Sequence, residues 1–169
     1  MKSYFILDCE NQQKIADSLY GYYIGITANN PPKQFWTHLT REEIKNYLSI
    51  PGIELTKWFD GLGLKVRDIS YTIMNKHIKT SPHVDEPPVV AKINFPVLNT
   101  KGTYNVWFDE TGNEIDRVEC NKPIVLRSNI LHTVEMANDA VLPRIQFSFC
   151  FYNEPVSYTH LTLPTNREV

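Results

Sequence analysis

Arg144-Ile-Gln-Phe-Ser-Phe-Cys-Phe-Tyr152 decides how this chain is layered. Ile145, Phe147, Phe149 and Phe151 alternate with Arg144, Gln146, Ser148 and Cys150, and a strand sends successive side chains to opposite faces. One face is therefore apolar and must be covered, while the other is polar and carries a cation. The Phe face predicts packing beneath N-terminal helices; the Arg face predicts the polar mouth of a barrel.

Upstream, the same β-rich texture extends back to about residue 65. Further strands are expected at 65–78, 89–98, 103–109, 113–119, 123–127 and 132–136. Turn chemistry separates them at Asn99-Thr-Lys-Gly102, Asp109-Glu-Thr-Gly112, Asn121-Lys-Pro123 and Asn138-Asp139. So many short strands imply a sandwich or barrel. Before them the chain reads as mixed: a short strand at 4–7, a helix at 11–22, and a capping box at Thr40-Arg-Glu-Glu43 opening a helix to about 48. Pro51 suits the start of another helix with Leu55, Trp58 and Phe59 on one face, ended by Gly61-Leu-Gly63. The expected fold class is mainly β with N-terminal helices (α+β), with one domain over 1–155, helical support over 1–64 and a β core over 65–153.

Composition agrees with one domain, since 169 residues at 42% hydrophobic and 12% aromatic content can bury one good core. A net charge of -2 supplies no basic field, so neither nucleic acid nor an anionic membrane is an expected partner. Three cysteines, Cys9, Cys120 and Cys150, are odd in number and lack CxxC pairing, and they read as reduced core residues. Asp8 and Glu10 interrupt the first apolar run, which argues against a signal peptide or membrane span and for a soluble cytoplasmic protein. The final stretch, 156–169, has no evident partner strand and resembles the translated read-through of a sequencing adapter. It is expected to be non-native or disordered, and His160 is left out of the site.

Chemistry concentrates downstream of residue 80. In His83-Val84-Asp85 an imidazole and a carboxylate stand two positions apart, so an extended segment sends both to one side. Glu86-Pro87-Pro88 then interrupts any regular ladder, placing the pair at a strand end or barrel rim. His132 opens a later strand that antiparallel winding can bring opposite. Two imidazoles and one carboxylate on one face of an octahedral ion leave three positions open, the arrangement of non-haem Fe(II) oxygenases. Zn(II) would more often take a tetrahedral site. Arg144, always charged and forked, suits the distal carboxylate of a dicarboxylic acid whose other end chelates the metal.

His83-x-Asp85, then His132, then Arg144 on a closing β-rich segment resembles the 2-oxoglutarate/Fe(II) oxygenase superfamily over roughly 65–153. The stretch 91–99 followed by a Gly-Thr turn, with Asn129-Ile-Leu-His132, is similar to the aspartyl/asparaginyl β-hydroxylase-like branch and to small phage members. The resemblance implies a double-stranded β-helix (jelly roll, cupin-like) in a cytoplasm, a host's if the chain is viral. It also implies Fe(II) on His83, Asp85 and His132, 2-oxoglutarate with its C5 carboxylate on Arg144, and O2. The product would be a hydroxylated C–H bond on a protein side chain, amino acid or small metabolite. Ser148, Tyr71 and Asn94 are the further candidates for co-substrate contact, and Asn129 is a candidate for the same role or for supporting a metal ligand from behind. Some features depart from relatives. The prolyl-hydroxylase-like pattern has Lys where Arg144 stands; AlkB-type repair enzymes carry a second arginine where Cys150 stands, which disfavours nucleic-acid demethylation. Gln146 takes the third place of the Arg-x-Ser variant, and Lys92 replaces an arginine of the β-hydroxylase-like branch.

Other residues read more simply as structure: His77 on a solvated strand, His38 beside Trp36, and Trp107 and Tyr104 as rings of a β-rich core. Two rival functions remain at this level: a non-catalytic β-helix binding module, and a cupin-type metal dioxygenase or isomerase that uses no 2-oxoglutarate.

Overall fold

The computed structural model describes residues 2–29, 31–32, 36–39, 68–85 and 89–152. The helices expected at 40–48 and after Pro51, the Glu86-Pro87-Pro88 break and the stretch 156–169 lie outside the described residues.

Two antiparallel sheets face each other. The larger is built from β1 (Tyr4–Ile6), β2 (Trp36–His38), β3 (Asp68–Met74), β4 (Val89–Leu98), β7 (Ile124–Arg127) and β9 (Arg144–Tyr152), in the order β1-β7-β4-β9-β3-β2. The smaller contains β5 (Thr103–Phe108), β6 (Glu114–Glu119) and β8 (His132–Met136), in the order β6-β5-β8. The 80–85 segment adds itself beside β8: His83 and His132 exchange backbone hydrogen bonds of 2.9 Å, and the Thr80 N–H donates to the Val134 carbonyl at 3.1 Å. From β3 onward the chain crosses back and forth between the sheets, except at the β5–β6 hairpin within the smaller one, and that winding makes a double-stranded β-helix, or jelly roll. The fold class expected from sequence is the one observed.

The alternation in β9 sets the layers. Ile145, Phe147, Phe149 and Phe151 join Ile69, Tyr71 and Ile73 of β3 and Ile93 and Phe95 of β4 in one core. The covering layer is α1 (Gln12–Thr27), whose buried Ile15, Ala16, Leu19 and Tyr23 form a single stripe. The helix extends beyond the expected 22 because Tyr23 continues that stripe and the Thr27 hydroxyl closes onto the Tyr23 carbonyl at 2.7 Å. A smaller core of Trp107, Val118, Ile124 and Leu126 fills part of the space between the sheets.

Most strand limits match expectation to within a residue or two, with two corrections. β3 stops at Met74 rather than 78, because Met74 already pairs with Arg144, the first residue of β9, and no partner strand continues beyond it. His77 therefore lies past the strand, exposed, with Nε2 at 2.8 Å from the Ala140 carbonyl. β2 was not expected as a strand; it adds to the large sheet through Trp36, Thr37 and His38 opposite Thr72, Tyr71 and Ser70.

Candidate metal centre and polar lane

His83, Asp85 and His132 converge because the 80–85 segment and β8 are paired backbone to backbone. One ligand atom from each of the three side chains lies within 4.8 Å of the other two. Asp85 Oδ1 is 3.7 Å from His83 Nε2 and 3.9 Å from His132 Nε2. Each imidazole is aimed by its other nitrogen: His83 Nδ1 lies 2.9 Å from the Ser81 carbonyl and His132 Nδ1 lies 2.8 Å from the Ile130 carbonyl. A carbonyl can only accept, so Nδ1 carries the proton and Nε2 keeps its lone pair for the shared point. The same relation, ring to the carbonyl two residues earlier, holds at both histidines.

Electrostatics keeps His132 and Asp85 in their metal-binding forms. Burial, then the nearby Lys92 charge, pushes His132 down to about 4, so the ring is neutral at pH 7. Burial works to raise the Asp85 carboxyl, but the Lys92 ammonium ion-paired with it at 2.6 Å and the two imidazoles outweigh it and hold the group below its usual range. Two imidazoles and one carboxylate are a donor set that suits divalent iron, with three positions of an octahedron left over.

From this centre a polar lane runs down the inward face of the large sheet, set by strand register. Lys92 pairs with Cys150, Asn94 with Ser148, and Thr72 with Gln146, before Met74 and Arg144 at the far end. The Ser148 hydroxyl donates to Asn94 Oδ1 at 2.8 Å. Arg144 is fully buried at 0% exposure. Its Nε donates to Thr103 Oγ1 at 3.2 Å, and its terminal nitrogens reach Thr72 Oγ1 at 3.5 Å, Met74 Sδ at 3.9 Å and Gln146 Oε1. Among the described residues, none of these partners is a carboxylate. Thr103 stands four positions along β5 from Trp107, which pairs with His132, so Arg144 is anchored on the same strand as the partner of His132 but deeper in the barrel.

The structure thus brings together His83, Asp85 and His132, and it sets Asn94, Ser148 and Arg144 on the same inward face. Tyr71 is a correction. It lies one position off the inward parity of Ser70 and Thr72, pairs with Phe147, and packs edge-on against Tyr23 of α1 at 5.4 Å. It belongs to the helix-facing core, not to the co-substrate contacts. Trp107 is buried on the inward face, its indole N–H donating to the Arg127 carbonyl at 3.2 Å, and Tyr104, of opposite parity, lies under the Arg117 guanidinium. Asn129 is exposed in the turn before β8. Lys92, Gln146, Thr72 and Thr103 acquire contacts here that the sequence reading had not assigned them. The alternation of Lys92 with Asn94 on β4 was the available signal for the first.

In sequence, no protein-family model and no curated protein matches the chain. In structure it is similar to a Pseudomonas putida prolyl-4-hydroxylase, at TM-score 0.56 and 12% identity over 90% of this chain and 93% of that one. It is also similar to the non-heme alpha-ketoglutarate-dependent epimerase SnoN from nogalamycin biosynthesis, at TM-score 0.57 and 10% identity over 99% of this chain and 87% of that one. A third is the viral collagen prolyl hydroxylase of Paramecium bursaria Chlorella virus-1, solved as a 2OG complex, at TM-score 0.51 and 11% identity over 88% of this chain and 94% of that one. At these identities the likeness is one of fold.

Proposed function

We propose that the protein is a single-domain Fe(II)- and 2-oxoglutarate-dependent oxygenase that hydroxylates a C–H bond of a small molecule or peptide. The observation that carries the reading is Arg144: a fully buried guanidinium with no carboxylate among its described partners, at the far end of a polar lane from two histidines and an aspartate. A buried charge is costly unless paired, so the lane calls for an anion from outside the chain. The solved structures that share the fold include a prolyl hydroxylase in complex with 2OG, which supports the choice of dicarboxylate.

In this reading His83 Nε2, Asp85 Oδ1 and His132 Nε2 hold the iron, and the Ser81 and Ile130 carbonyls keep both rings in the tautomer that can ligate. Arg144 takes the distal carboxylate of 2-oxoglutarate in its fork, steadied by Gln146 and Thr103. Asn94 and Ser148 line the middle of the lane, while Trp107, Ile124 and Leu126 exclude water from the barrel interior. Iron held there would supply O2 activation: of the four electrons O2 takes up, two would come from 2-oxoglutarate, which keeps one oxygen atom as it becomes succinate and CO2, and two from the substrate C–H bond, which receives the other atom. No separate acid or base in the chain is required.

The test is succinate release with Fe(II), ascorbate and 2-oxoglutarate across protein side chains of the kind the β-hydroxylase-like branch takes, free amino acids and small metabolites, with His132→Ala as control. Arg144→Ala should abolish 2-oxoglutarate binding while the metal still binds. A wild-type protein that takes the metal but never 2-oxoglutarate would return the site to cupin-type metal chemistry.

A further inference from the structure

Asp85 turns its two carboxylate oxygens toward different partners. Oδ1 faces the two histidines, 3.7 and 3.9 Å from their Nε2 atoms, whereas Oδ2 lies 2.6 Å from Lys92 Nζ. Lys92 reaches it from β4, across the space between the two sheets. The side chains of Lys92 and Asp85 are only 16% and 17% exposed, so the attraction works in a largely desolvated place. The carboxylate is held at its backbone too, since the Asp85 N–H donates to the Ser128 carbonyl at 2.9 Å.

We infer that Lys92 is a positioning residue of the metal centre: by holding Oδ2 it limits Asp85 to ligation through one oxygen. This rests on the metal-centre reading above. A carboxylate can bind an ion through one oxygen or both. Ligation through both would consume one of the three octahedral positions that the three protein ligands leave open. Those three are what a two-point chelate and O2 need together. Lysine suits the task because a compact ammonium can satisfy a single oxygen, whereas an arginine fork would engage both and draw Oδ1 away from the metal.

The experiment is inner-sphere water counting on the Mn(II)-loaded protein by water-proton relaxation, in wild type and in Lys92→Met. Wild type should hold about three exchangeable waters per bound ion, and K92M should lose roughly one-third of that inner-sphere relaxation. Equal relaxation from two equally loaded proteins overturns the inference, and a lowered melting temperature with unchanged water count marks Lys92 as merely structural. Failure of wild type to bind Mn(II) would instead sink the metal-centre reading together with this one, so the two failures are told apart. Should K92M not fold, the crystal structure of Mn(II)-loaded wild type decides: Oδ2 beside Nζ sustains the inference, and both oxygens on the ion overturn it.

Discussion

The two faces of the large sheet are made from the same strands and do opposite work. Toward α1, β9 presents Ile145, Phe147, Phe149 and Phe151 to a continuous apolar core. Toward the smaller sheet, the alternate residues Arg144, Gln146, Ser148 and Cys150 are equally buried, yet they are polar or weakly polar. Burial is thus common to both faces and cannot distinguish structure from chemistry. What distinguishes them is whether buried groups are satisfied within the chain. The apolar face needs only packing, whereas the partners of Arg144 among the described residues are all neutral. The first face stabilises the fold, and the second holds the charge that the proposed co-substrate would match.

Cutting into the first face should have the largest effect. Phe147 is fully buried and packs against the Tyr71 ring at 5.8 Å, so Phe147→Ala should cost about 3–5 kcal/mol of stability, read from the urea midpoint. Molecules that remain folded should keep the wild-type affinity for 2-oxoglutarate, because the deleted ring lies on the wrong side of the strand. A specific loss of affinity in the folded fraction would show that the two faces are not separable.

The mirror experiment is Arg144→Met. Replacing a buried ion with an apolar side chain of similar length is often neutral or stabilising. The ligand-free variant should therefore melt no lower than wild type, while losing about 2–5 kcal/mol of 2-oxoglutarate affinity in calorimetry. A clear drop in the melting temperature without ligand would instead make Arg144 a structural residue whose neutral partners suffice.

How much of this division the sequence disclosed follows from how local each signal is. The alternation within 144–152 is carried by neighbouring residues, so both faces of β9 were readable without knowing any partner. The two-residue spacing of His83 and Asp85 is local in the same way, and the parity of Arg144 placed it on the polar side. Tyr71 was misplaced because its face is set by register, and only its pairing with Phe147 puts it under α1. Lys92 went unassigned for a related reason: Asp85 meets it from the 80–85 segment, a contact created by winding rather than spacing. The length of α1 was understated because Gly21 and Gly25 weaken the helical signal, while the Tyr23 contacts that sustain it are tertiary.

Cys150 gives the smallest and most discriminating contrast, because it lies on the polar face yet should behave as inert. Burial pushes its thiol up to about 12, against a small opposing effect from Lys92. The thiolate is the nucleophile, and its population at pH 8 would be about one part in ten thousand. The raised value means that lowering the pH only diminishes this population, and it becomes appreciable only as pH approaches the shifted value. Iodoacetamide at pH 8 should therefore label the partly exposed Cys9 first, leaving Cys150 unmodified until the protein unfolds, as peptide mass mapping over a urea series would report. Labelling of Cys150 in the folded protein at a rate matching Cys9 would mean that water reaches the metal end of the lane freely. That outcome would count against a dry barrel interior, on which the exclusion of water from the proposed chemistry depends.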